Sequence, residues 1–452
     1  MFATIISSWS FIALPGKSFK NDLQYLMTIS LIPVCTFFAV KYLIPLFRNK
    51  IQLSAYEYLE RRFGLPARVY GNIAFIVIHF GKMGAILYLL CLAISGMTGW
   101  NIYILIAIVG LSTILYTYFG GIEGVIWSDV IQGMLLLFGG IISIVYLLYS
   151  YPDGAGKLIY QAYANEKLTL LSLDFEWHTI SLIVLLFFGL NYWLQKYTSD
   201  QTVVQRYLIS SSKKEASRAL WLSSLLIMFV WLLFISIGAL LWTYYHAQPA
   251  LLPVELWRQP DKVFPYFIGH QLPEGISGLI LAGLFAATMS TLSSDLNSLA
   301  AVLFDDYYNK IKKEKTDKQK LVFSRMSVLI SGMLAIGLAM WMTQIKSMAD
   351  AAFNFVSLVG GGVLGVYILG IFTKRTSSAG VYIGLGIGIL FALWAYFTNP
   401  AQGEGELVLR FPLHILWIGL IGNIIVLLIG YISSRIITPE YQAKADLTAY
   451  ER

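Results

Sequence analysis

The stretch from Gly278 to Ser298, GLILAGLFAATMSTLSSDLNS, decides the architecture of this chain. It lies inside an apolar segment at 275–305, which is long enough to cross the roughly 30 Å hydrocarbon core of a bilayer as a helix. Small residues recur at every fourth position, at 278, 282, 286, 290, 294 and 298. Side chains at that spacing share one helix face, and small ones let neighbouring helices approach closely. The pattern predicts a transmembrane helix packed inside a bundle.

Hydroxyl groups at the centre of this helix suggest a chemical role as well. Ser290, Ser293 and Ser294 stand at i, i+3 and i+4, so their oxygens converge on one face. Convergent neutral oxygens suit a hard cation of low charge, and a nearby carboxylate would complete the cage. The competing interpretation is packing alone, with each hydroxyl bonded to a carbonyl one turn back. The spacing leaves both interpretations open.

Composition extends the membrane assignment to the whole chain. Of the 452 residues, 57% are hydrophobic and 13% are charged, and the mean hydropathy is +0.68. A soluble domain carries roughly 25% charged residues, so a soluble enzyme is excluded. We predict one transmembrane transport domain at 1–434, with about eleven full spans and a partial first helix, and a tail at 435–452. The predicted segments are 2–15, 24–47, 67–97, 101–119, 122–150, 179–205, 217–244, 275–305, 321–344, 350–372, 378–398 and 411–434.

Basic residues alternate between loops and so predict the orientation. They concentrate at 48–68, 206–218, 310–325 and 374–375 and in the tail, whereas the opposite loops hold fewer. By the positive-inside rule, the basic loops and both termini face the cytoplasm. We expect the membrane to be the plasma (inner) membrane. The net charge of +7 is therefore a topology signal rather than a nucleic-acid-binding surface.

Two of the ionisable residues inside predicted spans stand out, Asp129 and Lys82. Such a group costs at least about 2.5–3.5 kcal/mol at the bilayer centre, which makes it a functional candidate. Asp129 is about two turns into the fifth segment, and it provides either an interhelical hydrogen bond or the carboxylate missing beside the serine oxygens. Lys82 is near the middle of the third segment, where it either pairs with an intramembrane acid or offers a counter-charge to an anionic substrate.

Two segments are predicted to be irregular helices. The polar run at 191–206 suggests an interrupted helix whose freed backbone groups line a cavity, and the alternative is a helix that ends early. The first segment ends at Leu14-Pro15-Gly16 and is too short to cross a bilayer. It is either half of a broken helix or the remainder of a longer one, and we expect a shortened N-terminus.

Side chains that build catalytic or metal centres are sparse. Cys35 and Cys91 both lie in apolar runs, and the five histidines, at 79, 178, 246, 270 and 414, have no metal-ligand spacing. We therefore predict that the chain is not an enzyme and carries no organic cofactor. Its expected partners are a small-molecule solute and the lipid bilayer, with no nucleic acid and no obligate protein partner.

Three motifs, in order along the chain, resemble the sodium:solute symporter family, relatives of the sodium/glucose transporters. The first is YT at 116–117, GG at 120–121 and SDVIQ at 128–132. The second is DQTVVQRY at 200–207. The third, and most specific, runs from LPEG at 272–275 through the opening stretch to DY at 306–307. The resemblance covers essentially the whole chain.

This resemblance implies an all-α polytopic membrane protein with leucine-transporter-like inverted five-helix repeats plus additional C-terminal helices. It also implies a first sodium site, built from the carbonyls of Ala3, Ile6 and Ala287 and the hydroxyls of Ser290 and Thr291. A second sodium site, present in only some members, would use Asp129, Ser290, Ser293 and Ser294. The chain carries all four of those residues, so we predict two sodium ions.

The substrate expectation rests on a narrower likeness. The run SSWSFIALPGK at 7–17, the basic residue in the third segment and the segment at 197–207 are most similar to the sialic acid transporter branch. An arginine of that branch meets the substrate carboxylate, and Lys82 stands in its place, which keeps the charge but loses the bidentate fork. The implied substrate contacts are Ser7, Ser8, Ser10, Lys82, Asn191 and Gln195.

The resemblance thus predicts a secondary active transporter that couples sodium to the import of an acidic sugar such as sialic acid, or of another carboxylate. Three alternatives are left open by the sequence. The solute is a neutral sugar, the coupling ion is a proton that titrates Asp129, or the chain is a membrane sensor that does not transport.

Overall fold

The computed structural model describes residues 5–6, 9–51, 54–171, 176–309, 316–344, 359–399, 410–442 and 447–449. The side chains of 121–129 fall outside this description, although their backbone is helical. Four of the predicted site residues are affected. Ala3, Ser7, Ser8 and the side chain of Asp129 lie outside the described residues.

Helices make up the regular structure of the described residues, and no strand occurs among them. In chain order they are α1 (Leu14–Lys20), α2 (Gln24–Lys50), α3 (Ala55–Phe63), α4 (Leu65–Thr98), α5 (Ile102–Ser150), α6 (Ala155–Ala164), α7 (Leu182–Ser199), α8 (Gln201–Ile209), α9 (Lys213–Ala247), α10 (Val263–His270), α11 (Glu274–Val302), α12 (Asp317–Met342), α13 (Val363–Phe372), α14 (Ser378–Phe397) and α15 (Trp417–Ile437). Wider π-helical turns lie at Trp9–Ala13, at Ala39–Leu43 within α2, and at Leu303–Tyr308 after α11.

Nine segments of the described residues are long and apolar enough to cross a membrane. They are α2, α4, Ile102–Gly120 and Val130–Ser150 of α5, α9, α11 with its π-helical extension to Tyr308, α12, α14 and α15. Each falls on a segment predicted from hydropathy, which confirms a multi-pass helical membrane protein. The sixth predicted segment is broken into α7 and α8, and only Val363–Phe372 of the tenth is described. The total of about eleven spans stays a prediction.

Helix α5 contains 49 residues and contributes two crossings. A straight helix of that length would extend about 73 Å, more than twice the hydrocarbon thickness. Met97, just before α5 begins, lies against Gly269 of α10, where an added Cβ would be 3.1 Å from the Met97 Cγ. Tyr146, near the end of α5, has its ring centroid 6.1 Å from that of Phe267, also in α10. The last turn of α4, which holds Met97 and precedes α5, and the end of α5 therefore both lie beside α10.

The first helix extends further than the sequence predicts. The π-helical turn at Trp9–Ala13 leads directly into α1, which ends at Lys20. Pro15 stands in the first turn of α1, where a missing N–H removes no hydrogen bond of that helix. The predicted end at Leu14-Pro15-Gly16 was wrong, because proline at the start of a helical segment does not terminate it.

Two glycines bring the site-forming helices into backbone contact. A Cβ added at Gly238 of α9 would lie 2.0 Å from the carbonyl oxygen of Pro15 in α1. A Cβ added at Gly189 of α7 would lie 2.1 Å from the carbonyl oxygen of Thr28 in α2. Any side chain would push these helices apart, so glycine fixes the positions of α1 and α7.

Large apolar side chains cover much of the outer surface. On α12, for example, Ile330, Met333 and Leu334 are each more than half exposed. In water such a surface would drive aggregation, whereas lipid solvates it.

Candidate functional site

Helix α11 is held against the second half of α5 by a close contact at Gly283. A Cβ added there would lie 2.9 Å from the carbonyl oxygen of Leu135. Two turns later, Ser290 and Thr291 are completely buried. Packing therefore requires a small residue at Gly283, whereas Gly278, one turn earlier, is exposed and has no described atom within 4 Å of an added Cβ. The hydroxyls in the second half of α11 face the interior of the bundle.

Three oxygens from two separate segments meet at Thr291. Its hydroxyl donates a hydrogen bond to the carbonyl oxygen of Ile6 at 2.9 Å and lies 3.2 Å from the carbonyl oxygen of Ala287. Ile6, Ala287 and Thr291 are all buried. We call this group the neutral pocket, because its oxygens carry partial rather than full charges. Sequence alone places Ile6 and Thr291 285 residues apart.

The remaining serines of α11 lie beside the neutral pocket and are hydrogen-bonded. Ser293 donates to the carbonyl oxygen of Ser290 at 3.0 Å and accepts a bond from the Tyr116 hydroxyl. Ser294 accepts a bond of 3.1 Å from the Arg206 guanidinium. These hydroxyls therefore contact α5 and α8, and the side chain of Asp129, their proposed acidic partner, lies outside the described residues.

The broken helix of the sixth segment has its freed backbone groups satisfied. Helix α7 ends at Ser199, and the extended Asp200 caps α8 by accepting a 2.9 Å bond from the Thr202 N–H. The Ser199 carbonyl accepts a 2.8 Å bond from the Tyr56 hydroxyl. A buried chain break requires such partners. The interruption and its continuation as α8 are confirmed, whereas the cavity that the freed backbone groups were predicted to line stays a prediction.

Five ionisable side chains form one continuous network beside this break. His79 Nδ1 is 3.0 Å from Asp295 Oδ1, and His79 Nε2 is 3.3 Å from Asp200 Oδ2. Lys82 Nζ is 3.0 Å from the same Asp295 oxygen, and Lys196 pairs with Asp200. We call these five residues the charged cluster. It joins α4, α7 and α11 around the interruption at Asp200.

Burial within the charged cluster is uneven. The side chains of His79 and Asp295 are 2% and 0% exposed, whereas that of Lys82 is 23% exposed. The other Asp295 oxygen, Oδ2, is buried and has no hydrogen-bond partner in the described part of the chain. Lys82 is thus the cation of the cluster that is most open to a ligand.

The charged cluster differs from a metal centre. The described residues contain no group of three or more His, Cys, Asp or Glu side chains placed to hold a metal ion. Each carboxylate instead faces two cationic or potentially cationic side chains.

A second group of ion pairs closes the end of the bundle that carries the basic loops. Arg68 of α4 pairs with Glu60 of α3 and with Asp306, which follows α11. The Ser54 hydroxyl donates a 2.9 Å bond to Asp306. The Tyr367 hydroxyl of α13 donates a 2.8 Å bond to the Ala55 carbonyl. Four helices are therefore joined at this end.

The predicted substrate contacts have different surroundings. Ser10 is buried in the π-helical turn before α1, and Gln195 is half-buried on α7. Asn191 accepts a 2.9 Å bond from Asn423 of α15, whose own amide oxygen accepts bonds from the backbone of Gly362 and Gly365. Asn191 therefore supports α13 and α15 through its oxygen. Lys82 pairs with Asp295, and an ion pair with an intramembrane acid was one of the two roles predicted for it.

Sequence reasoning gave no role of their own to four members of the charged cluster. They were visible as polar residues within the predicted segments, and they are His79, Lys196, Asp200 and Asp295. One signal was available, because Lys196 and Asp200 are four residues apart, and His79 and Lys82 three apart, so each pair shares a helix face. The partners across helices depend on how each helix is rotated, which spacing does not give.

Comparison with known proteins places these features in context. The sodium:solute symporter family model matches residues 1–388. The sodium/sialic acid symporter NanT of Aliivibrio fischeri is 32% identical over 444 residues, 96% of this chain and 84% of that protein. The sodium/sialic acid symporter SiaT of Proteus mirabilis is 32% identical over 457 residues, 99% of this chain and 88% of that protein.

Solved structures agree in fold. A Na⁺-coupled sialic acid symporter in a substrate-bound outward-open state has a TM-score of 0.88 and 30% identity, covering 98% of this chain and 89% of that one. A nucleobase-cation-symport-1 family transporter in a closed conformation has a TM-score of 0.61 at 15% identity, covers 97% of this chain and 91% of that one, and supports the fold alone. The all-α, leucine-transporter-like class predicted from sequence is confirmed.

Proposed function

The chain belongs to the sodium:solute symporter family, and we propose that its solute is an acidic sugar such as sialic acid. As a member of that family it is a multi-pass membrane transporter that imports a small solute with sodium, and it is not an enzyme. The observation that carries the sodium proposal is the Thr291 hydroxyl lying between the Ile6 and Ala287 carbonyls.

The first sodium ion is proposed to bind in the neutral pocket. Its ligands would be the carbonyls of Ala3, Ile6 and Ala287 and the hydroxyls of Ser290 and Thr291. A hydroxyl has two lone pairs and a proton that can rotate, so Thr291 can turn an oxygen lone pair towards a cation. Since Ile6 precedes α1 and Thr291 is in α11, a bound ion would draw these segments together.

A second sodium ion is proposed between Asp129, Ser290, Ser293 and Ser294. Support comes from the burial and mutual proximity of Ser290 and Ser293. Arg206 works against it, because a guanidinium bonded to Ser294 repels a nearby cation. A carboxylate at Asp129 is therefore essential to this second site, whereas the first site needs none.

The solute is proposed to bind where Lys82 meets the interrupted helix. Its contacts would be Ser7, Ser8, Ser10, Lys82, Asn191 and Gln195, with the Lys82 ammonium facing the carboxylate. The relatives named as sialic acid symporters, and the partial exposure of Lys82, support this assignment. The partnerless Asp295 oxygen is an acceptor for a hydroxyl or amide N–H of the solute or for a water.

A neutral sugar is the second candidate, and one observation favours it. Lys82 already has a carboxylate partner 3.0 Å away, so it could serve only to stabilise Asp295. A neutral solute would then need nothing from the lysine charge. The two candidates differ in whether removal of the solute carboxylate abolishes binding.

Sodium and solute are coupled if both bind the same conformations of the protein. Sodium in the neutral pocket would favour the outward-facing arrangement, and the solute would close the outer side. The ion pairs of Arg68 with Glu60 and Asp306 would open to release both. By the positive-inside rule that end, with the C-terminal tail, is proposed to face the cytoplasm.

The available driving force is sufficient for accumulation. One sodium ion crossing about 100 mV contributes about 2.3 kcal/mol, and a tenfold sodium gradient adds about 1.4 kcal/mol. Together they support a solute gradient of several hundred-fold for each ion. Sodium must also tighten solute binding, and the solute must tighten sodium binding to the same degree.

Uptake by proteoliposomes tests the proposal. We expect labelled N-acetylneuraminate to accumulate with an inward sodium gradient, and unlabelled neutral sugars to compete poorly. Replacement of sodium by choline, with a proton gradient imposed, separates the two coupling ions. Equal uptake with and without sodium would reject sodium coupling. Sodium-driven uptake of a neutral sugar, without uptake of the acid, would instead select the second candidate.

A further inference from the structure

An open cavity of about 630 Å³ lies between the first turns of α9 and the later part of α2. Val40 of α2 lines one side. The other lining residues all belong to α9 and are Lys213, Lys214, Ser217, Arg218 and Trp221. No residue proposed to contact sodium or the solute lies on either helix, so the cavity is a separate feature of the molecule.

The described acidic side chains do not neutralise the charge of this cavity. Its three basic side chains are exposed, and none of them forms an ion pair with a described carboxylate. Glu215 is the one acidic residue between positions 201 and 222. It is not part of the lining, and it accepts a hydrogen bond from the Ser211 hydroxyl. Because like charges close together repel, an anion between the basic side chains lowers the electrostatic energy.

One face of α9 changes from cationic to apolar along its length. Its members are three or four residues apart, so their side chains lie on the same side of the helix. They are Lys214, Arg218, Trp221, Leu225 and Phe229. Leu225 and Phe229 are 58% and 46% exposed. From Arg218 to Phe229 the helix rises about 16 Å, about the depth of one leaflet of the hydrocarbon core.

Hydrogen bonds hold the two sides of the cavity together. Towards the middle of the membrane, the Thr36 and Ser224 hydroxyls are 2.7 Å apart and join α2 to α9. At the opposite end, Arg48 of α2 donates bonds of 2.6 and 2.5 Å to the carbonyls of Tyr207 and Ser210, just before α9 begins. The cavity is therefore built into a packed pair of helices.

We infer that this cavity binds the headgroup of an anionic phospholipid, with the phosphate at Lys214 and Arg218 and an acyl chain along Leu225 and Phe229. A phospholipid carries its charge at the membrane surface and its apolar chains directly below, in the same order as this face of α9. Basic pockets between transmembrane helices suit such headgroups, and tryptophan favours the depth of the interface. By the positive-inside rule, the lipid belongs to the cytoplasmic leaflet.

A lipid in this position would stabilise the helix against which α1 packs. Further along α9, the Ile235 carbonyl accepts a 2.5 Å bond from the Ser18 hydroxyl of α1, and Gly238 contacts Pro15. A ligand that binds only the folded protein raises its stability. We therefore expect phosphatidylglycerol to raise the melting temperature of the protein in detergent, and phosphatidylcholine to raise it less.

Native mass spectrometry of the full chain in detergent tests the inference. It measures the affinity for phosphatidylglycerol, with phosphatidylcholine as the lipid that has a phosphate but no net charge. A double variant, Lys214→Gln with Arg218→Gln, should bind phosphatidylglycerol about thirtyfold more weakly, because each basic residue near a membrane surface contributes about fivefold. Equal affinity of the wild type for the two lipids would overturn the inference.

The matched control removes the same charge elsewhere at the basic end of the bundle. Lys318 and Lys320 are exposed in the first turn of α12, and neither lines the cavity. Lys318→Gln with Lys320→Gln should keep the wild-type affinity. An equal loss in this variant would show that the lipid responds to net charge alone, which contradicts a defined site. Lys214→Arg with Arg218→Lys keeps both charges and should retain most of the binding.

Two further measurements distinguish a bound lipid from a soluble anion. Inorganic phosphate at the concentration of the lipid should not displace phosphatidylglycerol, and displacement would mean that the cavity binds free phosphate instead. Phosphatidylglycerol with brominated acyl chains should quench Trp221, measured as the quenching that is lost in Trp221→Phe. No difference between these two proteins would place the acyl chain elsewhere and overturn the inference. Neither measurement depends on which solute or ion is transported.

Discussion

Two adjacent turns of α11 have neighbours of different electrostatic character. At Thr291 the neighbours are carbonyl oxygens of Ile6 and Ala287, with no full charge among them. One turn later, at Asp295, the neighbours are His79 and Lys82, and every contact involves a charge. One helix therefore presents a neutral pocket and a charged cluster about 6 Å apart along its axis.

The difference shows how two ligands of opposite charge can bind close together. Partial dipoles suit a small bare cation, because several of them replace its hydration shell without a fixed counter-charge. A solute carboxylate needs full positive charge at bilayer depth. If both sites used carboxylates and ammonium groups, sodium and solute would compete for the same charges rather than bind together.

The largest expected effect comes from breaking the charged cluster at Asp200. Asp200→Asn leaves Lys196 without its carboxylate and removes one of the two carboxylates that lie near the His79 ring. Loss of one partner from a buried pair typically destabilises by about 3–5 kcal/mol. We expect a correspondingly large loss of stability in detergent, measured by chemical denaturation.

Asp153→Asn is the matched control for this change. Asp153, just before α6, forms an exposed pair with Lys157 of α6, so its loss should alter stability by less than about 0.5 kcal/mol. Equal effects of the two substitutions would mean that the charged cluster is not energetically distinct from a surface pair.

The second prediction concerns the neutral pocket. Thr291→Val keeps the shape but removes the hydroxyl that lies between the Ile6 and Ala287 carbonyls. A hydrogen-bonding oxygen that contacts a charge contributes about 1.5–3 kcal/mol, so the sodium concentration for half-maximal uptake should rise about 10–100-fold. Thr291→Ser should retain most of the wild-type affinity.

Thr288 offers a control on the same helix. Its hydroxyl bonds the Leu284 carbonyl one turn back and is equally buried. Thr288→Val should leave sodium dependence nearly unchanged. A loss as large as that of Thr291→Val would show that buried hydroxyls of α11 act through helix packing in general.

How much the sequence could predict differs between these two regions. The oxygens of Thr291 and Ala287 are four residues apart on one helix, so their proximity follows from helical periodicity. Ile6 entered only through family resemblance, since no spacing rule connects it to α11. Its placement beside Thr291 depends on contacts such as Gly238 against Pro15, where a missing side chain sets the depth of α1.

The charged cluster was less predictable for a physical reason. Lys82 was recognised as unusual, yet its partner Asp295 is 213 residues away and lies on another helix. An ion pair across helices depends on the rotation of each about its axis, and a change of one residue in register turns a helix by about 100°. Hydropathy gives the number and the length of helices but not this angle.

The third prediction asks whether the neutral pocket extends to a second ion. Asp129→Asn removes the only carboxylate proposed for that site and should reduce the Hill coefficient for sodium from about 2 to about 1. Sodium-dependent uptake at fixed solute measures it. Thr117→Val is the control, because the Thr117 hydroxyl bonds the Thr113 carbonyl within α5. An unchanged coefficient of about 2 would place the second ion elsewhere.

The smallest effect is expected at Lys167, where a cation of the chain itself is surrounded by neutral oxygens. Its ammonium donates to the carbonyls of Phe19 and Asn21 at the end of α1, and it lies 4.5 Å from the centre of the Trp242 ring. Burial lowers the pKa of Lys167 to about 8, and the charge of Asp22 only partly offsets this. Carbonyl dipoles thus hold this ammonium less well than carboxylates would.

The sign of the pH dependence follows from that lowered pKa. Above pH 8 the folded protein releases the Lys167 proton, whereas the unfolded chain retains it up to its ordinary pKa of 10.5. Stability relative to Lys167→Met should therefore increase from pH 8 to pH 10. We expect the difference in melting temperature to change by on the order of 1 °C. Lys157→Met should show no such trend, because Asp153 raises the pKa of Lys157. If the melting temperature of the wild type relative to Lys167→Met instead fell as the pH rises, neutral carbonyls would stabilise the Lys167 charge as strongly as carboxylates do. The contrast between the two turns of α11 would then have no electrostatic basis.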